Sequence, residues 1–280
     1  MNLAALKKSL QGDLFTDDTM RRLYATDASA YRELPLAVAI PKSEQDIITL
    51  IQFARINKTS IIPRTAGTSL AGQVVGAGII VDVSKHFNSI ISINKEQGWA
   101  IVQPGIVRDD LNFHLKPYGF FFAPETSTAN RAMIGGMIGN NSCGSNSVVY
   151  GSTREHLLEV EAILSDGSKV HFKQNSEEEI RSKLAGDPTR LETRLYQHIN
   201  RILSDEKNIT EIERQFPKES IERRNTGYAI DVLARMAPYR KSGKPFNFSG
   251  LIAGSEGTLA FVTSAKIKLT PLDPPFKKLV

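Results

Sequence analysis

The sequence is poor in cysteine, because Cys143 is the only one among its 280 residues. An intrachain disulfide and a metal site built from several cysteines are therefore both excluded. This scarcity favours a reducing compartment. We expect a cytoplasmic protein and leave open a peripheral contact with the inner face of a membrane. The five histidines show neither His-x-His nor His-x3-His spacing, so the sequence predicts no metal site.

Long apolar runs and long basic runs are also missing. No stretch approaches the ~18 uninterrupted apolar residues that a membrane-spanning helix needs. Met1 to Ser9 contains lysines but no apolar core of signal-peptide length. The strongest basic cluster, Lys241 to Lys244, is interrupted by serine and glycine, which disfavours a nucleic-acid partner. The net charge of +5 and the pI near 9.2 suit an anionic small-molecule ligand instead.

The remaining composition is that of a globular protein, with 41% hydrophobic and 23% charged residues. Short apolar segments between turns predict strands, and charged amphipathic segments later in the chain predict helices. We expect an α+β fold in two lobes: a small α/β lobe and a larger mixed-sheet lobe with a helical insertion. The expected divisions are a helical lead-in at 1–34, the small lobe at 35–105, the large lobe at 106–272, its insertion at 176–218, and at 273–280 a linker to a missing substrate domain.

Three elements are predicted from specific local signals. Ser43 precedes apolar residues at helical spacing, which predicts an amphipathic helix over Glu44–Asn57. Apolar runs on both sides of an Asp-Gly turn predict a β-hairpin from residues 157–164 and 169–172. Asp187, followed by proline, predicts the N-terminus of a further helix.

The first glycine-rich loop, Pro63 to Gln73, directly follows a predicted strand. It offers consecutive backbone N–H groups beside small side chains and hydroxyls, so it can approach and surround a pyrophosphate closely. It has neither the Gly-Lys-Ser/Thr ending of a Walker A loop nor the Gly-x-Gly-x-x-Gly pattern of a Rossmann fold. A plain surface turn is the alternative interpretation of this loop alone.

Two further loops have the same character. The stretch from Pro124 to Gly151 is dense in glycine, asparagine and serine, which predicts a long loop whose amides and polar side chains can reach a ligand. Within it, Cys143 is predicted to be a small filler near the ligand. Gly254 to Ala260 precedes an apolar strand. Irregular loops packed on themselves are the alternative, but three such loops, each beside a strand, fit one extended dinucleotide better.

In their order along the chain, these motifs resemble the FAD-binding domain of the vanillyl-alcohol oxidase superfamily, also called the p-cresol methylhydroxylase type. Within it, the chain is most similar to D-lactate, glycolate and D-2-hydroxyglutarate dehydrogenases. The resemblance covers nearly the whole chain from about residue 20 and implies a two-lobed FAD-binding fold. The segments that carry it are Pro63–Gln73, Val102–Gly105, Ile134–Gly144, Tyr150–Arg154, Ser165–Gly167, Gly254–Ala260 and Leu269–Pro271.

The resemblance also implies which residues bind FAD. Residues 64–69 would surround the pyrophosphate. Gln73 and the second loop would lie along the ribityl chain and the isoalloxazine ring, and the third loop would complete the site near the ring and the adenosine. Relatives with covalent flavin often carry histidine at the position of Thr68, so non-covalent FAD is implied. The residues expected to bind the cofactor are Arg64, Thr65, Ala66, Gly67, Thr68, Ser69, Gln73, Pro124, Glu125, Thr126, Gly135, Gly136, Asn140, Ser142, Gly144, Gly151, Glu256 and Gly257.

For the reaction, the resemblance implies hydride transfer from C2 of a D-2-hydroxy acid to N5 of the flavin, with the protein supplying position and electrostatics. Arg224 to Tyr228 resembles a motif on the substrate side of the flavin, and a helix terminus at the surface is the alternative. The substrate would bind through a C-terminal domain that this chain lacks, so no catalytic base is assigned and the chain alone is expected to be inactive. The implied electron acceptor is an iron–sulfur domain, a quinone or a cytochrome.

Other functions stay open at this point. The FAD-carrying electron-transfer subunit of a molybdenum hydroxylase has a related fold and a similar size. Against it, the proline-rich exit after Leu269 favours passage into another domain. A UDP-sugar enoyl reductase that uses NADPH shares the flavin fold, and a non-enzymatic flavin-binding module is the third alternative. The sequence predicts no oligomeric state.

Overall fold

The computed structural model describes residues 1–221, 224 and 227–272. The smaller lobe contains strands β1 (Asp13–Phe15), β2 (Ala37–Ile40), β3 (Ile61–Arg64) and β4 (Ile79–Asp82), and helices α1 (Leu3–Ser9), α2 (Asp18–Leu23) and α3 (Glu44–Asn57). The strands form one sheet in the order β1-β2-β4-β3. β4 pairs in parallel with β2 and β3, and β1 pairs antiparallel with β2. This lobe is therefore an α/β layer in which β3 leads directly into the first glycine-rich loop.

The larger lobe is built on a five-stranded antiparallel sheet. Its strands are β5 (Ile90–Asn94), β6 (Trp99–Val102), β8 (Leu157–Ile163), β9 (Lys169–Phe172) and β10 (Phe261–Lys268). They lie in the order β5-β6-β10-β8-β9. A separate two-stranded ribbon pairs β7 (Phe120–Phe121) with β11 (Thr270–Pro271). β10, the last strand of the five-stranded sheet along the chain, therefore lies at the centre of that sheet, between β6 and β8.

The helices of the larger lobe connect these strands. They are α4 (Arg108–Leu115), α5 (Ile134–Asn140), α6 (Ser147–Tyr150), α7 (Thr153–His156), α8 (Glu177–Leu184), α9 (Leu191–Leu203), α10 (Glu206–Gln215), α11 (Ile230–Ala234) and α12 (Ser249–Ile252). Helices α8, α9 and α10 occupy the range 176–218 in which the sequence predicts a helical insertion. Within residues 1–221, 224 and 227–272, no helix is long and apolar enough to cross a membrane.

Helix α3 has the bounds that its sequence predicts. The side chain of Ser43 accepts a hydrogen bond from the backbone N–H of Asp46, which satisfies a donor in the first turn. Ile47 and Leu50, one turn apart, are fully buried in the core of the smaller lobe. The prediction of a helix over Glu44–Asn57 is confirmed, because the cap and the apolar face agree on the same segment.

The predicted hairpin is present as well. β8 and β9 pair antiparallel, with Val160 opposite Phe172. Between them, Gly167 adopts a left-handed φ of 87°, which glycine tolerates without steric strain. The hairpin prediction is confirmed.

Two local predictions are wrong. Asp187 accepts hydrogen bonds from the backbone N–H (2.8 Å) and the hydroxyl (2.7 Å) of Thr189. It thus closes a short turn, and α9 begins later, at Leu191, with Arg190 as its N-cap. The glycine-rich stretch from Pro124 to Gly151 also contains helices where the sequence predicts only loop, because α5 and α6 lie within it.

Two segments pair differently from the expected divisions. Leu14, inside the expected lead-in at 1–34, pairs with Ala39 and is only 1% exposed. The first 34 residues therefore contribute a strand to the smaller sheet. The β5–β6 hairpin, inside the expected small lobe at 35–105, pairs with β10. The chain therefore passes into the larger sheet before residue 105.

Each lobe has its own hydrophobic core, and two side chains of the larger sheet belong to the core of the smaller lobe. The core of the larger lobe gathers around the five-stranded sheet, including Val160 and Ala265. The core of the smaller lobe includes Leu50 and Ile79. Ile163 and Phe261, although they belong to β8 and β10, are buried in this smaller core. The ends of these two strands therefore join the lobes.

Candidate functional site

A cavity of about 820 Å³ opens where the two lobes meet. This volume lies within the range of roughly 300–1,000 Å³ that is typical of small-molecule and cofactor sites. All three predicted loops contribute to its wall, together with the end of α5. The predicted cofactor-binding residues that line it are Arg64, Thr65, Ala66, Gly67, Thr68, Ser69, Gln73, Thr126, Gly135, Gly136, Asn140, Ser142, Glu256 and Gly257.

The first loop presents unpaired backbone donors to the cavity. Within the described part of the chain, no protein acceptor is found for the N–H groups of five successive residues, Ala66, Gly67, Thr68, Ser69 and Leu70. The next N–H, of Ala71, donates to the side-chain oxygen of Gln73 (3.1 Å). Residues 66–69 are half-buried beside the cavity, and Leu70 is exposed. A row of free donors beside a cavity therefore favours an anionic or oxygen-rich ligand.

The Arg64 side chain is engaged on the protein side of this loop. Its guanidinium donates hydrogen bonds to the carbonyl oxygens of Tyr24 (3.4 Å) and Thr26 (2.9 Å). A Cβ on Gly67 would lie 2.6 Å from the guanidinium, so the loop can pack this closely only because that position is glycine. Burial lowers the pKa of Arg64, and the negative charge of Asp82 opposes that shift. The Arg64 guanidinium therefore fixes the first loop to residues 24–26.

Helix α5 approaches the first loop through its glycines. The N–H of Gly135 donates to the carbonyl of Pro104 (2.8 Å), and a Cβ on Gly135 would lie only 2.5 Å from the Cβ of Pro104. A Cβ on Gly136 would lie 2.9 Å from the hydroxyl oxygen of Thr65. Glycine at these two positions lets the helix backbone come to the cavity wall, where no larger residue fits without movement.

The third loop is tied to the end of α5. The backbone N–H of Glu256 donates to the carbonyl of Gly139 (2.9 Å), and Glu256 itself has a φ of 51°. The side-chain amide of Asn140 donates to the Glu256 carboxylate (3.0 Å), and the Ser142 hydroxyl donates to the Asn140 amide oxygen (3.1 Å). A left-handed conformation at a residue other than glycine is uncommon and costs about 1 kcal/mol. These hydrogen bonds hold Glu256 and Gly257 at the cavity despite the conformational cost at Glu256.

Arg154 fixes the third loop from the opposite side. It is 7% exposed, and its guanidinium donates to the carbonyls of Gly250 (3.0 Å) and Ala253 (2.6 Å). Its backbone N–H donates to the side chain of Asn141 at the end of α5 (2.9 Å). Burial lowers the pKa of Arg154, and the nearby Glu155 carboxylate opposes that shift. Sequence reasoning placed Arg154 in a motif but gave it no role, because its partners are distant in the chain.

Some predicted residues lie outside the cavity wall: Pro124, Glu125, Gly144 and Gly151. The Glu125 carboxylate accepts hydrogen bonds from the side chains of Asn146 (2.9 Å) and Ser145 (3.4 Å). A Cβ on Gly144 would lie 2.7 Å from the Glu125 carbonyl oxygen. Gly151 has a φ of 74° and precedes the cap of α7. In this structure these residues shape the second loop, and their contact with a cofactor stays a prediction.

The motif at 224–228 is described only in part, since Asn225 and Thr226 lie outside the described residues, as does the predicted linker at 273–280. Arg224 forms an ion pair with the buried Asp231. The Tyr228 hydroxyl shares a hydrogen bond with Thr258 (2.5 Å), which ties this segment to the third loop. Tyr228 therefore lies beside the third loop of the predicted site.

Sequence reasoning missed a part of the cavity wall near the N-terminus, formed by Leu23, Thr26, Asp27 and Ala28. No glycine motif marks this segment, which the sequence predicts only as part of the helical lead-in at 1–34. Cys143 also lines the cavity, next to the predicted Ser142. Among the residues that the structure describes, no group of three or more His, Cys, Asp or Glu side chains could hold a metal ion.

The chemistry of the cavity fits the predicted cofactor. Free amides and the hydroxyls of Thr65, Thr68 and Ser69 form one wall, and such donors match the oxygens of a pyrophosphate. Apolar side chains, including Met137 and Ile252, line another part of the cavity, which suits a flat aromatic ring. A cavity of this volume with both polar donors and apolar side chains in its wall suits FAD.

The comparisons with known proteins agree with this geometry. Residues 35–173 match a family model described as an FAD binding domain. The chain is 37% identical to D-2-hydroxyglutarate dehydrogenases of Pseudomonas putida and Escherichia coli, over 99% and 98% of its own length and 27% and 26% of theirs. It is 33% identical to glycolate oxidase subunit GlcD of Bacillus subtilis, over 56% of this chain and 34% of that protein. An alkyldihydroxyacetonephosphate synthase structure matches with a TM-score of 0.63 at 17% identity, over 96% of this chain and 40% of that one.

The fold, the cavity and the matched family model thus agree on an FAD-binding domain. Residues 35–173 carry the FAD binding domain that the family model describes. The predictions of a two-lobed α+β FAD-binding fold and of FAD as the cofactor are confirmed. The chain spans about a quarter of the length of the D-2-hydroxyglutarate dehydrogenases that it matches.

Proposed function

We propose that this chain is the FAD-binding part of a dehydrogenase that oxidises a D-2-hydroxy acid of the 2-hydroxyglutarate type. The observation that carries the proposal is the cavity between the lobes, in which free amides of the first loop face the second and third loops. The choice of substrate class is supported by the similarity to D-2-hydroxyglutarate dehydrogenases along nearly the whole chain. Glycolate and D-lactate are the neighbouring substrate classes, from relatives that match less of the chain.

Each wall of the cavity has a proposed role. The amides of residues 66–70 and the hydroxyls beside them bind the pyrophosphate. The Gly135–Gly136 backbone and the Asn140 and Ser142 side chains line the flavin, and Glu256 and Gly257 complete the site. When bound, FAD accepts the hydride of the oxidation. The protein's own contribution is to orient the cofactor and to exclude water from the contact between the lobes.

Three finer features belong to the same proposal. FAD is held non-covalently, because Thr68 stands where covalent relatives often have histidine, and no described residue of the cavity wall is histidine. The protein works in the cytoplasm, in keeping with its single cysteine. The electrons pass on to an iron–sulfur domain, a quinone or a cytochrome. One matched relative is a cytochrome-linked D-lactate dehydrogenase of Kluyveromyces lactis.

The first test is an absorbance spectrum of the purified chain, with FAD added if it is colourless. We expect flavin bands that stay with the protein on gel filtration and leave it on acid denaturation. A folded chain that takes up no FAD would contradict the proposal, and flavin that stays bound after denaturation would contradict the non-covalent mode.

The second test uses the full-length protein, loaded with FAD and given an artificial electron acceptor. We expect D-2-hydroxyglutarate to reduce the flavin with a higher kcat/KM than D-lactate or glycolate, and the L-enantiomer to be inactive. A preference for glycolate or D-lactate would overturn the substrate class but not the FAD domain. Flavin reduction by NADH with none of these acids active would instead favour an electron-transfer subunit.

A further inference from the structure

Residues 24–31, which we call the N-terminal strap, run beside the first glycine-rich loop. The backbone N–H of Ala28 donates to the carbonyl of Gly67 (3.2 Å). The ring of Tyr31 lies over Gly72, where a Cβ would come within 3.0 Å of it. Residues 26–28 line the cavity. The strap is therefore a wall of the proposed FAD site that none of the glycine motifs includes.

Arg64 anchors the strap to the first loop. Its guanidinium donates to two strap carbonyls, those of Tyr24 and Thr26, and lies 5.1 Å from the centre of the Tyr24 ring. The Tyr24 hydroxyl in turn donates to the Asp82 carboxylate (2.7 Å) at the end of β4. A planar guanidinium makes this combination of hydrogen bonds and ring contact, and a lysine ammonium does not reproduce it. Arg64 therefore sets where the strap stands relative to the cavity.

Asp27 is the strap residue with unused hydrogen-bonding capacity. One carboxylate oxygen, Oδ1, accepts the backbone N–H of Ser29 (2.8 Å). The other, Oδ2, is buried and has no partner among the residues that the structure describes. Asp27 also lines the cavity. A buried acceptor without a partner is destabilising, so this oxygen is suited to a ligand donor. FAD carries hydroxyl and amino donors outside its pyrophosphate.

We propose that the strap is a fourth binding element of the FAD site, in which Asp27 accepts a hydrogen bond from a hydroxyl or amino group of the cofactor and Arg64 is the positioning residue. This inference rests on the proposed function, because it assumes that FAD occupies the cavity. It adds a charged ligand residue that lies before the matched family segment at 35–173.

Asp27→Asn tests the ligand role with little change of shape. The variant keeps an acceptor for Ser29 but replaces the free acceptor oxygen with an N–H donor. We expect the Kd for FAD, measured by quenching of flavin fluorescence on titration, to rise about 10-fold or more, since hydrogen bonds to charged groups are the stronger ones. Asp110→Asn is the matched control, because Asp110 is exposed on α4, and its Kd should equal that of the unaltered chain.

Arg64→Lys tests the positioning role through a readout that does not depend on FAD chemistry. Hydrogen exchange of the strap amides is followed in the chain without and with FAD. In the unaltered chain we expect FAD to slow this exchange. In Arg64→Lys we expect faster exchange before FAD is added, and a higher Kd. Arg55→Lys, exposed on α3, should change neither quantity.

The outcomes separate the inference from the proposed function. If the unaltered chain binds FAD and Asp27→Asn binds it equally well, the strap inference is overturned and the FAD site stands. If Arg64→Lys raises the Kd but leaves strap exchange unchanged, Arg64 contacts the ligand directly and its positioning role is overturned. If the folded, unaltered chain binds no FAD, both the inference and the proposed function fail.

Discussion

At the residue scale, the close approaches of the cavity wall depend on single missing side chains. A Cβ on Gly135 would lie 2.5 Å from Pro104, a separation that real Cβ atoms do not show, whereas a Cβ on Gly139 of the same helix would lie 3.6 Å from Glu256. Both glycines lie in α5, but only Gly135 is crowded by a neighbouring residue. Alanine substitutions at the two positions therefore separate the effect of packing on stability from the effect of helix propensity.

Gly135→Ala is expected to lower the free energy of unfolding by about 1–3 kcal/mol, because the added methyl group forces α5 and residue 104 apart. Gly139→Ala, the matched control, should leave it unchanged or raise it by up to about 1 kcal/mol through helix propensity. Urea unfolding of both variants without FAD measures the difference. Equal effects at the two positions would show that α5 moves freely from its neighbour.

His156 is a second residue with a testable consequence. It is 6% exposed, stacks edge-on against Phe122, and donates to the Ser152 carbonyl (3.1 Å). Burial lowers its pKa below the ordinary 6.5, and the hydrogen bond to Ser152 opposes that shift. The unfolded chain therefore takes up this proton at a higher pH than the folded chain does. The contribution of the neutral His156 ring to the free energy of unfolding is therefore present above about pH 6.5, and it is lost as the pH falls toward the pKa of the folded state.

We therefore expect the free energy of unfolding to fall between about pH 7 and about pH 5.5, by up to about 1.4 kcal/mol per pH unit from this residue. His156→Gln should flatten that part of the profile. His114→Gln, whose ring is exposed on α4, serves as the control and should keep the slope. A slope that is the same in His156→Gln as in the unaltered chain would assign it to other groups.

At the element scale, one carboxylate in the first turn of α3 accepts three backbone N–H groups from outside the helix. Asp46 is 2% exposed, and it accepts the N–H groups of Gln11 (2.8 Å), Gly12 (3.0 Å) and Lys42 (2.9 Å). Asp46→Ala should lower the free energy of unfolding by about 2–4 kcal/mol, because it leaves these donors without a partner. Gln45→Ala, one residue earlier and exposed, should change it by less than about 0.5 kcal/mol. Chemical denaturation checks both, and similar values would refute the bridging role.

Elements with a local cause could be predicted from the sequence, and elements with a distant cause could not. The bounds of α3 follow from Ser43 and the apolar spacing behind it, and the β8–β9 hairpin follows from its Asp-Gly turn. Helix α5 was missed because its glycines, poor helix formers alone, are required by contacts with Pro104 and Thr65. The strap was missed because Arg64 and Gly67, which hold it beside the cavity, lie far along the chain.

The cavity wall also has a largely local cause in the sequence. Glycine-rich loops after strands predicted most of the cavity wall, since the backbone itself is the binding surface there. Glu125 lies in such a loop, and its carboxylate accepts hydrogen bonds from Asn146 and Ser145. The composition of the loop does not predict pairwise contacts of this kind. Loops predict where a backbone can bind, and the folded structure decides which side chains join it.

At the scale of the whole molecule, the proposed FAD cavity lies at the junction of two cores that share a few side chains. Phe261 begins β10 in the larger sheet, is 4% exposed in the core of the smaller lobe, and also lines the cavity. The tip of the β8–β9 hairpin adds a second contact, because Lys169 forms an ion pair with Glu44 of α3. FAD would touch loops from both lobes, so it should stabilise their junction.

Phe261→Ala tests this junction. The lost side chain should lower the free energy of unfolding by about 3–5 kcal/mol, and the smaller lobe should then unfold before the larger one. Trp99, the only tryptophan, reports the larger sheet by fluorescence, and hydrogen exchange of the α3 amides reports the smaller lobe. In the unaltered chain both probes should give one transition. FAD at about 100 times its Kd adds about 2.7 kcal/mol and should bring the two transitions of the variant together again.

Phe113→Ala is the control for this experiment, since Phe113 is 74% exposed on α4 and its loss should leave a single transition at nearly the same denaturant concentration. If both probes still coincide in Phe261→Ala without FAD, the lobes unfold as one unit through their other contacts. The cavity would then be a rigid feature of a single domain. If the transitions separate but FAD does not reunite them, the cofactor binds to one lobe alone, and the cavity between the lobes is not its complete site.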